Sequence, residues 1–249
     1  PTPARRTSST TYARMASSAD EFSQFGVSKE EIDKLIAEVI RFILFKTHQN
    51  SGCPIKRDEL TQLITKTYHQ WNLPSFVINK AGEKLSSIFG YEMRELQRCR
   101  PASTNQSRSS QSSVADTKSY CLISQLPPDV YKKYVEDVNQ AHLTGFTFVV
   151  VSIVHLVGGS IPEESLWHHL KRMGLSESDE CHPVLGSIKQ SLEALVQQRY
   201  LQKNKVNGPE GNTLCYQLAE RALDGPVKER IKEYISQIVN RDANPQEDD

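Results

Sequence analysis

The chain lacks paired cysteines, a long apolar run and an excess of either charge, and each absence narrows its class. Five cysteines are scattered over 249 residues without any C-x-x-C spacing, which argues against a disulfide framework or a zinc finger and favours single thiols in a reducing compartment. The longest apolar run, Phe146 to Val157, is interrupted by polar residues and is shorter than the roughly 18 residues of a membrane-spanning helix. We therefore expect no membrane partner.

Net charge gives no argument for nucleic acid, because 30 lysines and arginines balance 30 aspartates and glutamates. Any basic surface has to be local. Apolar residues make up 37% of the chain, below the globular average, and two polar stretches account for much of the deficit. Residues 1–27 begin with an Arg- and Ser-rich leader without a clear amphipathic stripe, and residues 98–119 hold no apolar run, so we expect both to be disordered.

Recognisable catalytic motifs are also missing. The glycine pair Gly158-Gly159 lacks the lysine of a phosphate-binding loop, and neither G-x-S-x-G nor H-E-x-x-H occurs. His168 and His169 are adjacent, so on a helix their side chains point about 100° apart and cannot chelate one ion together. The sequence predicts no catalytic residue, no metal site and no cofactor, and hence a protein that is not an enzyme.

One pattern occurs twice: three helical segments followed by a two-stranded hairpin, in residues 28–126 and again in 142–240. This order is typical of a winged helix. We predict a mostly α, α+β fold of tandem winged-helix domains with a C-terminal helix. A connector, residues 127–141, separates the copies and includes a short helix near Val130–Val138, and the acidic tail 241–249 is expected to be loose.

The first copy opens on a capping box, Ser28-Lys-Glu-Glu31. The last turns of its first helix, Val39 to Phe45, are apolar on nearly every side. Such a helix is either buried all round in its own domain or offers one face to a partner, and the residues alone leave both readings open. The remaining predicted elements are a helix after Pro54, a helix from Pro74 to Gly90, and strands Tyr91–Gln97 and Tyr120–Leu126.

The second copy starts with an apolar helix, Phe146 to Val157, and the pattern Ser160-Ile-Pro-Glu163 predicts a second capping box. The helix that it opens closes at Gly174. A third helix is marked by apolar residues from Ile188 to Val196. The strands of its hairpin are predicted at Tyr200–Val206 and Thr213–Leu218. A C-terminal helix is predicted from an apolar stripe, the residues Ile231, Tyr234, Ile235 and Ile238.

Local basic residues suit a DNA surface, because the third helix and the wing of a winged helix are its usual DNA-facing parts. Lysines and arginines there would contact phosphates and bind double-stranded DNA with little regard to sequence. An ordinary solvated face is the alternative. The candidates are Arg94, Arg98 and Arg100 in the first copy, beside Lys80 and Lys84, and Lys189, Arg199, Lys203 and Lys205 in the second.

Several segments together resemble a known family. RFILFKTHQNSGCPIKRDELTQLI, INKAGEKLSSIFGYEMREL, TGFTFVVVSIVHLVGG and IPEESLWHHLKRMGL resemble the MAGE homology domain, in the order that this family has them. LVQQRYLQ and LAERAL extend the resemblance over roughly Lys34–Val239. Within the family it is strongest to the MAGE-like non-SMC element, a subunit of the structural-maintenance-of-chromosomes (SMC) complex for DNA repair.

The resemblance implies tandem winged helices without catalysis, in a nuclear, chromatin-associated complex. Implied partners are a RING-finger E3 ubiquitin ligase subunit, a kleisin subunit, SMC proteins through the kleisin, and double-stranded DNA. The family's leucine pair for the RING partner falls on Ile43 and Leu44, flanked by Phe42 and Phe45. For the kleisin, the expected surface includes three residues of the C-terminal stripe, Ile231, Tyr234 and Ile235.

This sequence departs from the family at residues 98–119, where relatives usually have a tight turn. A simple wing–DNA contact in the first copy is therefore in doubt, and the insertion could serve as an arm tuned by phosphorylation. Rival interpretations are a free-standing MAGE-type adaptor of a RING ligase, a winged-helix transcription regulator and a small hydrolase that uses Cys181 and His182. DNA binding by the isolated chain would argue against the adaptor. Selection for a short DNA sequence would indicate the transcription regulator, and thiol alkylation without loss of function would exclude the hydrolase.

Overall fold

The computed structural model describes residues 26–97, 118–208 and 211–243. The chain folds into two compact units. The first comprises, of the described residues, 26–50, 55–94 and 122–125, and the second comprises 51–54, 95–97, 118–121 and the rest of the chain from 126. The predicted disorder of residues 1–27, 98–119 and 241–249 falls almost entirely outside the described ranges.

In the first unit, three helices pack around an aliphatic core. Helix α1 is Lys29–Gln49, α2 is Arg57–Thr65 and α3 is Leu73–Phe89. The predicted capping box opens α1: Ser28 Oγ accepts from the Glu31 amide at 3.3 Å, and Glu31 Oε2 accepts from the Ser28 amide at 3.0 Å. The helix buries residues at helical spacing on one side, Ile32, Leu35, Ile36, Val39, Ile40 and Ile43.

Three strands complete this winged helix. They are β1 (Ile55–Lys56), β2 (Tyr91–Leu96) and β3 (Ser119–Ser124), in the sheet order β1-β3-β2. Gly90 ends α3 in a left-handed conformation with φ 67°, which glycine adopts without the steric cost of a Cβ. The sequence predicted the hairpin but not β1, because two residues are too few for a periodic signal.

The second unit repeats the order. Its helices are α5 (Ala141–Leu156), α6 (Glu163–Arg172), α7 (Ile188–Gln197) and α8 (Gly225–Ala243); a short helix α4 (Pro128–Tyr134) and a 3-10 turn, Val138–Gln140, precede them. The core is built from α5, α6 and α7 with the sheet and α8, and its fully buried side chains include Ile161, Leu166 and Leu170.

The second sheet has β6 in the middle. Strand β4 (Ser160–Pro162) and strand β5 (Leu201–Gly208) both pair antiparallel with β6 (Gly211–Leu218), in the order β4-β6-β5. Pairs such as Ile161 with Tyr216 fix the register. Tandem α+β winged helices, as predicted from the sequence, are thus what the chain forms.

The predicted second capping box at Ser160 is wrong. Ser160 lies in β4, and the residue at the start of α6 is Pro162, which has no side chain that could cap the helix by a hydrogen bond. Pairing of Ile161 with β6, more than fifty residues later in the chain, overrides the local capping signal. The carboxylate of Glu163 is used differently, as described below.

Candidate partner and nucleic-acid surfaces

The four residues predicted to meet a RING partner differ in accessibility. Ile43 is 1% exposed and packs in the core, whereas Phe45 is 60% exposed. Phe42 and Leu44 are half-buried. Ile43 is therefore packed in the core of its unit, because its position on α1 faces the inside, and its contact with a RING partner stays a prediction. The accessible part of the predicted surface consists of Leu44 and Phe45, with the edge of Phe42.

Two cations lie over the aromatic rings of this surface. The Arg41 guanidinium carbon is 5.9 Å from the centroid of the Phe45 ring, and Lys46 Nζ is 5.8 Å from that of Phe42. Lys46 also forms an ion pair with Glu59 at 3.1 Å. A cation over a ring face is attracted by the ring quadrupole. The end of α1 therefore presents apolar and basic groups together, a combination that the sequence reasoning missed at Arg41.

The three residues predicted to contact a kleisin are buried or half-buried in the second unit. Ile231 is 2% exposed and lies in the core, and its contact with a kleisin stays a prediction. Tyr234 and Ile235 are half-buried, and the Tyr234 ring lies 6.0 Å from that of Phe148 on α5. Farther along α8, Val239 is 59% exposed and Ile238 is also exposed.

Lys203, a DNA candidate, is engaged within its own unit. Its Nζ lies 2.7 Å from Glu163 Oε1, the Tyr216 hydroxyl donates to the same oxygen at 3.2 Å, and Lys203 Nζ is 5.1 Å from the centroid of the Tyr216 ring. Burial lowers the pKa of Lys203, but its interactions with Glu163 and Tyr216 outweigh burial and leave that pKa above its ordinary value. This cluster ties the start of α6 to the hairpin.

The other DNA candidates differ in exposure and in their partners within each unit. In the first unit, Arg94 is half-buried and forms an ion pair with Glu92 at 2.8 Å. In the second, Lys189 is exposed and lies 3.3 Å from Glu177, and Arg199 is half-buried at a left-handed position with φ 64°. Lys205 is exposed on β5. Arg98 and Arg100 lie outside the described residues.

The histidine and cysteine candidates show no catalytic arrangement in the described part of the chain. No group of three or more metal-ligating side chains occurs among these residues. The rings of His168 and His169 are 6.1 Å apart at 74°. His182 Nδ1 accepts hydrogen bonds from the amides of Val184 and Leu185, which gives this histidine a part in a turn. No helix within the described ranges is both long and apolar enough to cross a membrane.

Comparison with known proteins decides the family. The sequence profile of the MAGE homology domain matches residues 39–225, well over half of the chain. The chain belongs to the MAGE homology domain family. Both winged helices of the structure lie largely within the matched range, and so do the surface of Leu44 and Phe45 and the cluster of Lys203.

Relatives of this MAGE domain include chromosome-maintenance proteins. Two are named "Non-structural maintenance of chromosomes element 3 homolog". The protein from Mus musculus is 23% identical over 218 residues, 86% of this chain and 70% of the relative; that from Homo sapiens is 23% identical over 216 residues, 86% and 64%. "Melanoma-associated antigen 8" from Homo sapiens is 25% identical over 214 residues, 86% and 60%. The chain thus spans only part of each relative.

A solved structure supports the same fold. A chain of the "Nse1-Nse3-Nse4 complex" superposes with a TM-score of 0.68 and 21% sequence identity, and the match covers 86% of this chain and 93% of that chain. At this identity the likeness shows the fold of the MAGE domain. It does not by itself carry partners over.

Proposed function

We propose that this MAGE domain is a non-catalytic scaffold subunit of an SMC-type chromosome maintenance and DNA repair complex. It joins a RING-type ubiquitin ligase subunit to a kleisin subunit and reaches SMC proteins through the kleisin. The observation that carries the proposal is the agreement of two comparisons: relatives named for element 3 of a non-SMC set, and a fold neighbour from a complex of three such elements.

Two surfaces of the chain support the scaffold role. On α1, Phe45 and Leu44 leave an apolar patch beside Arg41, where we place the RING-type partner. On α8, the kleisin is placed on the exposed residues Ile238 and Val239 with the accessible parts of Tyr234 and Ile235. Because the patches belong to different units, each can be removed without touching the other.

Contribution to double-stranded DNA binding is the second part of the proposal. Lys205 and Lys189 are exposed in the second unit, and lysines so placed contact phosphates rather than base edges. Their binding would be salt-dependent and nearly independent of sequence. The proposal places the chain in the nucleus, on chromatin.

Affinity purification of the full chain from nuclear extract, with mass spectrometry of the proteins retained, tests the scaffold role. We expect a RING-finger protein, a kleisin and SMC subunits. Phe45→Ala should remove the RING-finger protein alone, and Val239→Asp should remove the kleisin together with the SMC subunits. Recovery of neither a kleisin nor any SMC subunit would refute the proposal.

A free-standing adaptor of a RING ligase is the second candidate, since a relative of similar identity is named "Melanoma-associated antigen 8". That function predicts retention of a RING-finger protein without a kleisin, and no affinity of the isolated chain for DNA. The same purification and a DNA-binding measurement therefore separate the two candidates.

A further inference from the structure

Arg41 differs in its charge environment from three lysines of the first unit. Lys46, Lys80 and Lys84 each lie within 3.1 Å of a carboxylate, those of Glu59, Glu83 and Asp33. Arg41 has no such partner among the described residues, although Glu38 lies one turn before it on the same helix. An exposed guanidinium is therefore left with its hydrogen-bonding capacity available.

The side chain of Arg41 nevertheless has an aromatic neighbour in its own helix. Its guanidinium lies over the ring of Phe45, one helical turn later, at 5.9 Å from the ring centroid. Arginine stacks well on aromatic faces because the planar guanidinium is weakly hydrated. A stacked arginine loses less conformational freedom on binding than a free one. Arg41 and Phe45 therefore form a preorganised pair at the surface.

This pair has the chemistry of an anchor for a protein partner. Arginine and aromatic residues are enriched among the side chains that dominate binding energy in interfaces. The guanidinium binds a carboxylate through two parallel hydrogen bonds, while Phe45, 60% exposed, needs apolar cover. A DNA backbone would supply the anion but no apolar cover. A protein surface with an acidic residue beside an apolar one supplies both.

We propose that Arg41, stacked on Phe45, is the specificity-determining residue of the RING-partner surface and binds a carboxylate of that partner. This inference rests on the proposed function, since it concerns the same surface. It adds a charge requirement to a surface that the sequence had presented as purely apolar: the RING-type subunit must place an aspartate or glutamate against Arg41 on α1.

The test compares variants of the full chain for binding to the recombinant RING-type subunit that copurifies with it. Arg41→Glu should weaken binding at least about tenfold, because a charge that attracts becomes one that repels. Arg41→Lys keeps the charge but loses the bidentate geometry and should weaken binding about two- to fivefold. Phe45→Ala should weaken binding about as much as Arg41→Glu.

Lys34→Glu is the matched control. Lys34 is exposed on the same helix, two turns before Arg41, so the change in charge is equal while the stacked aromatic is absent. We expect its affinity within about twofold of the wild type, since rim charges contribute little. Raising salt should weaken the wild type more than Arg41→Ala. All the substituted positions are exposed, and unchanged thermal unfolding would show that each variant folds.

The outcomes are distinct. Wild-type binding that Arg41→Glu leaves within twofold would overturn the inference and leave the scaffold proposal intact. Equal losses in Arg41→Glu and Lys34→Glu would show a general electrostatic attraction and also overturn it. Loss of double-stranded DNA affinity instead of RING affinity in Arg41→Glu would reassign the residue to DNA. No RING binding by the wild-type chain would remove the proposed partner and this inference with it.

Discussion

The four consecutive apolar residues Phe42–Phe45 show how one helical turn divides between core and surface. Their residue types are equivalent for the hydrophobic pattern, but Ile43 faces the core on α1 while Phe45 faces solvent. Helical phase, set by the packing of α1 on α2 and α3, decides which of them a partner can reach. A family position placed by sequence resemblance alone therefore does not tell whether its side chain is exposed.

Ile43→Ala and Phe45→Ala should separate these two roles. Removal of the fully buried Ile43 side chain is expected to cost about 2–5 kcal/mol of unfolding free energy, because a cavity remains. Phe45→Ala should stay within about 0.5 kcal/mol of the wild type, as for most exposed positions. Urea denaturation of both variants measures this, and equal losses would place Phe45 in the core.

Glu31 contributes a pH dependence. Its carboxylate accepts hydrogen bonds from the hydroxyl and the amide of Ser28 and interacts with Tyr68, and these hydrogen bonds hold the pKa of Glu31 below its ordinary value of 4.5. A lowered pKa in the folded state means that the stabilisation is present above the unfolded pKa and is lost as pH falls through the folded value.

Glu31→Gln tests that dependence. We expect the wild type to have the higher melting temperature at pH 6. The difference should shrink as pH falls below the ordinary value of 4.5, because Glu31 is protonated in the unfolded chain first and in the folded chain only at lower pH. Thermal unfolding followed by circular dichroism between pH 3 and pH 7 gives the comparison. A difference that is constant over this range would mean that the ionised capping box adds nothing to stability.

Helix ends that depend on neighbouring residues were predicted correctly, whereas short strands that form by pairing with distant residues were missed. The capping box at Ser28 and the stop at Gly90 depend on neighbouring residues, and both are present. Strands β1 and β4 are two and three residues long and form by pairing with distant strands, so neither leaves a periodic pattern. The apparent capping box at Ser160 failed for the same reason.

The candidate site was predictable only in part. Residue type placed an apolar patch at the end of α1, and that patch exists. The burial of Ile43 and Ile231 and the ion pair between Lys203 and Glu163 depend on which faces pack together. That information lies in the tertiary packing, which no single stretch of sequence contains.

Helix α5 offers a test at this scale. The helix begins at Ala141 and continues through Gly145, whereas the sequence predicted that it starts at Phe146. Apart from its chain neighbours and the backbone of its own helix, no atom lies within 4 Å of the place that a Cβ would take at Gly145. Gly145→Ala should therefore stabilise the chain by about 0.5–1 kcal/mol through helix propensity.

Gly90→Ala is the contrasting variant, since its site also has open space but a φ of +67°. A left-handed alanine should cost about 1–2 kcal/mol. Urea denaturation of both variants checks the pair of expectations. Destabilisation by Gly145→Ala would show that residues 141–145 are not helical in solution.

For the molecule as a whole, DNA binding should depend on few cations. Lys189→Gln and Lys205→Gln are expected to lower affinity for duplexes of any sequence. Each should also reduce the slope of log affinity against log salt by about 0.9 for every phosphate that the variant no longer neutralises. Fluorescence anisotropy with two unrelated duplexes measures both quantities. Unchanged affinity in the double variant would exclude this surface.

Lys203→Gln serves as a structural comparison. It removes the cation from Glu163 and loosens the tie between α6 and the hairpin, so we expect a lower melting temperature in addition to any change in DNA affinity. A loss of affinity without a loss of stability would show that Lys203 contacts DNA directly and that its ion pair with Glu163 gives way on binding.

The order β4-β6-β5 places β4 and β5 at the two edges of the second sheet, as far as the structure describes the chain. Such edges invite pairing with another chain, and proteins discourage it with proline and lysine. Here β4 carries Pro162, and β5 carries Lys203 and Lys205. Two of the lysines proposed for DNA thus lie on an edge strand, and we expect apolar replacements there to promote intermolecular β-pairing.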